Sequence, residues 1–190
     1  METTQAKLIH FTVDSRASKF SVQAFATGMH SAMGHNPTIG IRTFSGEVDF
    51  DPETLAGSGF RLKIQASSLG VLDDISDKDR REIEKMMNDK VLDTTNNPEI
   101  VYEASTVAIT RVEDALYSAT LNGLLKFHGV SQAQPITARI AVFGDMLRAS
   151  GKFSLMQSDY GIKPITVAGG ALKVKDELQF SFEMVLRKQA

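Results

Sequence analysis

Apolar residues recur at every second position through most of this 190-residue chain. Between Leu116 and Phe127, one phase holds Tyr117, Ala119, Leu121, Gly123, Leu125 and Phe127, and the other holds Ser118, Thr120, Asn122 and Lys126. A period of two marks a strand with one side buried. This one exceeds the usual strand of about 5–6 residues. It stops at His128-Gly129, a tight-turn dipeptide, and a second alternating run begins after Pro135 with Ile136, Ala138, Ile140 and Val142. Long strands that mix small with large apolar residues suit a curved sheet closing on itself. In the inward phase, Ala119 and Gly123 leave room.

The same periodicity predicts strands over Leu8–Val13 and Ser18–Ala26, joined by the turn-forming Asp14-Ser15-Arg16. A strand over Ile41–Asp51 ends at Pro52, which has no N–H for the ladder. After Gly57-Ser58-Gly59, the alternation of Phe60, Leu62 and Ile64 completes the clearest hairpin. Further strands are expected at Ile100–Thr110, Met146–Leu155, Leu172–Lys175 and Glu177–Leu186. Thr27–Gly40 interrupts the pattern. It is rich in Gly, Met and His, has no period, and is long for a hairpin connection. One helix is expected from Ser76 to Leu92, opened by a capping arrangement of Ser76 with Asp79 and carrying the stripe Ile83, Met86, Met87 and Val91. It belongs outside a sheet or across an open barrel end. Together these elements predict an all-β, mainly antiparallel fold, a barrel or a sandwich, with one principal α-helix in a single domain spanning 1–190.

Composition narrows the function. A net charge of −2 gives no electrostatic case for nucleic acid. There is no cysteine, which excludes disulfides, thiol catalysis and cysteine-ligated metals. No apolar run reaches the roughly 18 residues of a membrane span, so stable membrane insertion is not expected. The first residues carry neither a basic nor an apolar leader region, which reads as a cytoplasmic protein. His10, His30, His35 and His128 lack metal-ligand spacing. Neither a nucleophile elbow nor a phosphate-binding glycine motif is present. His128 with Asp159 is the one arrangement readable as an acid–base pair. A His in a strand-end turn and an Asp in Ser158-Asp159-Tyr160-Gly161 more often bond backbone.

Four blocks, FTVDSRASKFSV, FSGEVDFDPE, LNGLLKFHGVSQ and FSLMQSDYGI, with a charged helix ending before NNPEIVYEAS, resemble the YceI-like family in sequence and order. The resemblance implies an extended, lipocalin-like β-barrel whose apolar interior holds a polyisoprenoid or similar amphiphile, with no other cofactor and no enzymatic activity. It makes the protein a carrier of a long-chain isoprenoid-type lipid or quinone. In that reading Phe20, Phe44, Phe50, Leu62, Leu121, Phe153 and Phe180 line the interior or fill the core, with Gly123 opening space. Met29, Met33, Met156 and Met184 adapt to a flexible tail, and His35, Asn36, His128 and Asp159 supply polarity at the mouth. Where the family pattern has an Arg before Ser-Asp, this chain has Gln157, which removes a cation able to pair with a diphosphate. A protein-interaction module with a filled core and an enzyme acting on a lipid-like substrate are the alternatives. A homodimer stays open.

Overall fold

The last strand of the chain lies beside the first, and that pairing turns the alternating strands into a ring. The structure, a computed structural model, describes residues 7–27, 36–51, 57–167 and 172–189. Its strands are β1 (Ile9–Val13), β2 (Lys19–Gln23), β3 (Ala26–Thr27), β4 (Thr38–Ile41), β5 (Phe44–Phe50), β6 (Gly57–Gln65), β7 (Leu69–Val71), β8 (Glu99–Glu113), β9 (Leu116–Phe127), β10 (Val130–Phe143), β11 (Met146–Met156), β12 (Thr166–Val167), β13 (Leu172–Val174) and β14 (Glu177–Lys188). Antiparallel pairing runs β1-β5-β6-β8-β9-β10-β11-β14, and β14 returns to β1 through Phe11 opposite Lys188 and Val13 opposite Leu186. The result is an eight-stranded closed barrel.

A second tier grows from the same strand. The first half of β14 pairs with β2, which continues to β4 and β7. The chain therefore breaks three times at one level: between β1 and β2, between β4 and β5, and between β6 and β7. At that level the Thr43 amide donates to Ser68 Oγ at 3.0 Å, and Ser18 Oγ accepts from the Val185 amide at 2.9 Å. The strand expected over Ile41–Asp51 is thus divided between β4, which takes Ile41, and β5, and residues 38–40, expected to be irregular, belong to the paired strand β4. Residues 28–35 lie outside the described residues.

Helix α1 (Asp77–Met86) borders the end of the second tier. Ser76 Oγ accepts from the Asp79 amide and donates to the Asp79 carboxylate at 2.7 Å, so the cap is reciprocal. A π-helical turn over Met87–Leu92 continues the helix until Asp93, which adopts a left-handed conformation. The helix also covers the edge of β7. Glu84 Oε1 accepts from the Val71 amide at 2.9 Å, while the Arg80 guanidinium donates to the carbonyls of Val71 and Asp73. Side chains here take the place of another strand and blunt an edge open to further pairing.

Pro135 lies inside β10, opposite Asn122, so this strand begins at Val130 and not after the proline. Proline is tolerated because β10 pairs with β11 only from Arg139 onward, which leaves the other side of the strand unpaired at 135. The β9–β10 turn is the two-residue His128-Gly129, both with positive φ (50° and 76°), the geometry that matches strand twist in a tight hairpin.

Candidate functional site

Inside the barrel is a cavity of about 640 Å³. Its walls are inward residues of the long strands, among them Ile109, Ala119, Leu121, Ile136, Ala149 and Leu178. The β8–β9 and β10–β11 turns lie at one end of the barrel. There the Val142 amide donates to the Ala115 carbonyl and the Lys188 amide to the Asp145 carbonyl. The other end is built from short pieces: Phe25, Ala26 and Pro37 beside β2 and β4, Ile165, Thr166 and Val174 from the small β12-β13-β3 sheet, and α1. Asp79, Glu82 and Ile83 of α1 line the cavity and are also exposed, so the cavity meets solvent at this end.

Six residues expected inside line the cavity: Phe20, Phe50, Leu62, Leu121, Phe153 and Phe180. Phe153 and Phe180 stack with ring centroids 4.7 Å apart and planes 7° from parallel. Phe44 is buried but lies outside the lining, packed edge-on against Phe20 at 6.0 Å. Met184 lines the cavity, whereas Met156 is exposed. Met29, Met33 and His35 lie outside the described residues.

Gly123 opens no space to a ligand. A Cβ there would stand 2.5 Å from Tyr102 Cζ and 2.7 Å from the Glu103 carbonyl oxygen, so the tyrosine ring fills the room the glycine leaves. Gly151 is likewise covered, by the Phe182 ring at 2.6 Å. Tyr102 is held in place through its hydroxyl, which faces the carbonyls of Gln134 at 2.9 Å and Leu121 at 3.2 Å. Sequence reading missed this residue. The signal was available, since a glycine and a large aromatic in the inward phases of adjacent strands form a natural pair.

Burial pushes the Tyr102 phenol up to about 12, against a small opposing effect from a hydrogen bond at the Gly123 backbone. The native state therefore holds this proton more tightly than the unfolded chain. Its stabilising contribution is complete below the ordinary tyrosine value near 10 and is lost as pH rises from there toward 12. Urea unfolding of the parent should lose roughly 2–3 kcal/mol over that window beyond the loss in a Tyr102→Phe variant. Equal slopes in the two proteins would remove Tyr102 as the cause.

Three of the four polar residues expected at the mouth are described, and their side chains are engaged or exposed outside the cavity lining. His128 directs Nδ1–H to the Tyr160 carbonyl at 3.2 Å, so its ring ties the β9–β10 turn to the segment after β11. Asp159 is exposed, with its carbonyl accepting from Gln132 Nε2 at 3.1 Å. Asn36 is also exposed. Its Oδ1 accepts from the Ala26 amide and its carbonyl from Gln23 Nε2, which fixes the chain beside the mouth from outside the cavity. None of the three lines the cavity. The polar residues that do are Asp79 and Glu82 on α1, Asp49 on β5, Tyr102, Thr166 and the buried Gln157, whose Nε2 donates to the Lys175 carbonyl at 2.9 Å. No helix among the described residues is long and apolar enough to cross a membrane.

No curated protein sequence matches the chain. Solved structures do. Burkholderia cenocepacia BcnA superposes with a TM-score of 0.68 at 21% identity, over 91% of this chain and 98% of that one. A polyisoprenoid binding domain from Saccharophagus degradans also gives a TM-score of 0.68, at 13% identity over 96% and 100% of the two chains. The Campylobacter jejuni YCEI protein gives 0.59 at 15% identity, over 80% and 84%. At these identities the likeness concerns the fold, and membership comes from the sequence: the YceI-like domain model matches residues 11–186, so the chain belongs to the YceI-like domain family.

Proposed function

We propose that this protein is a non-enzymatic carrier of a long-chain isoprenoid-type lipid or quinone, with the tail inside the barrel and the head at the α1 end. The observation that carries this reading is the apolar cavity of about 640 Å³ within a closed barrel, in the size range of small-molecule sites. The Saccharophagus degradans domain of the same fold is described as binding polyisoprenoid, which supports a lipid as the occupant. Each methylene taken from water contributes about 0.8 kcal/mol, so a tail of moderate length supplies the affinity without strong polar contacts.

The same geometry disfavours the enzymatic alternative. His128 bonds a backbone carbonyl away from the cavity, Asp159 is exposed, and the Tyr102 phenol is bonded and held protonated. The filled-core alternative disagrees with the cavity.

Detergent-free purification followed by solvent extraction and mass spectrometry tests the proposal. A long-tailed amphiphile should be released in about one-to-one ratio with protein. If the extract is empty, and the emptied protein takes up neither geranylgeraniol nor a long-chain quinone, the carrier reading is wrong.

A further inference from the structure

Among the described residues, the charged ones that line the cavity have one sign: Asp49, Asp79 and Glu82. Asp79, Glu82, Ile83 and Met86 all line the cavity and are spaced i, i+3, i+4 and i+7, so they share one face of α1. Read from the N-terminus, that face passes from two carboxylates to isoleucine and methionine. Asp79 shares a hydrogen bond with Ser76 Oγ, and Glu82 has no ion pair or hydrogen bond to a described residue. Neither Lys nor Arg lines the cavity. The segments outside the described residues cannot supply one, since 1–6, 28–35, 52–56 and 168–171 read METTQA, GMHSAMGH, PETLA and AGGA.

Two cations close to this end are already engaged. The Arg80 guanidinium donates to the carbonyls of Val71 and Asp73. The Lys175 ammonium stands 5.8 Å from the centre of the Phe25 ring. Phe25 itself lines the mouth, so an aromatic that already accommodates an ammonium lies at the same end as the two carboxylates.

Resting on the proposed lipid carriage, we infer that Glu82 and Asp79 are specificity determinants: the mouth prefers an amphiphile with an ammonium head and rejects one with a phosphate head. A phosphate entering here meets two like charges and no cation among the lining residues. An ammonium gains both carboxylates. The carboxylates are exposed, so the preference is one of moderate size and is weakened by salt.

Three probes with the same tail test this: hexadecylamine, hexadecanol and hexadecyl phosphate, each displacing a neutral fluorescent dye from the cavity. The measurement belongs at about pH 8, where the amine is still charged. At low salt the amine should bind about tenfold more tightly than the phosphate, with the alcohol between them. High salt should shrink that ratio. Glu82→Lys should reverse the order of amine and phosphate while changing the alcohol by less than about twofold, because the tail still supplies the affinity. Glu183→Lys, on the exposed face of β14, should leave all three unchanged. Equal binding of amine and phosphate in the parent, or an order that survives Glu82→Lys, would overturn the inference and leave the carrier reading intact. Failure of all three probes to displace the dye would overturn the carrier reading and the inference with it.

Discussion

Replacing Gly123 by leucine is expected to lower the unfolding free energy by about 3 kcal/mol, the upper part of the range for overpacking a well-filled interior. The first added carbon falls 2.5 Å from Tyr102 Cζ, 2.6 Å from its hydroxyl and 2.7 Å from the Glu103 carbonyl oxygen. The backbone oxygen belongs to the paired strand and gives little. If the ring swings away instead, its hydroxyl loses the carbonyls of Gln134 and Leu121, at a cost of about 1 kcal/mol. Urea titration reads the effect directly. Removing the ring as well, in Tyr102→Ala with Gly123→Leu, should recover part of the loss relative to the sum of the single changes. An unchanged midpoint for Gly123→Leu would show that the ring does not occupy this place in solution. Because Gly123 is absent from the cavity lining, lipid uptake per folded molecule should stay near that of the parent.

Ala119→Phe is expected to behave in the opposite way. Ala119 is fully shielded from solvent, yet it lines the cavity, so added bulk projects into empty space and not into a neighbouring ring. The phenyl ring takes the volume of several tail methylenes, each worth about 0.8 kcal/mol of transfer, so affinity for a long-chain alcohol should fall at least about tenfold. The urea midpoint should move by less than the equivalent of about 1 kcal/mol, since the new side chain is itself buried. Calorimetric titration against hexadecanol gives the first number. Undiminished binding would mean that the tail does not pass residue 119.

The contrast between these two small residues shows where sequence reading reached its limit. Period two placed Ala119 and Gly123 correctly on one inward face, because the alternation is a local property of one strand. What stands opposite each depends on the register between strands. Gly123 lies beside Ala104, with the Tyr102 ring over it, whereas Ala119 lies beside Ile109 and Ala138 and faces the cavity. The breaks between β4 and β5 and between β6 and β7 were hidden for the same reason. The contact that marks them joins Thr43 to Ser68, 25 residues away. Helix α1 was legible down to its Ser76 cap, since capping is written within three residues. That the helix would supply the polar rim was not, because Asp79 and Glu82 read as an ordinary solvated face. His128 and Asp159 were given the mouth on residue type alone, while the structure employs one in a tight turn and leaves the other exposed.

The union of β14 with β1 also governs the order in which this molecule can be built. Ribosomal synthesis delivers Ile9–Val13 first and the strand beside it last, and the contacts across that seam span nearly the whole chain: Thr12 with Gln189 and Asp14 with Arg187. Until Glu177–Lys188 emerges, the nascent chain holds a curved sheet with two unsatisfied margins and an apolar concave face open to water. Closure must wait until that strand emerges, and the entropy of joining such distant segments makes it a slow event. During that interval the half-built barrel is the species most exposed to aggregation. A long-tailed guest laid into the trough sideways at that stage would need no passage through the finished wall.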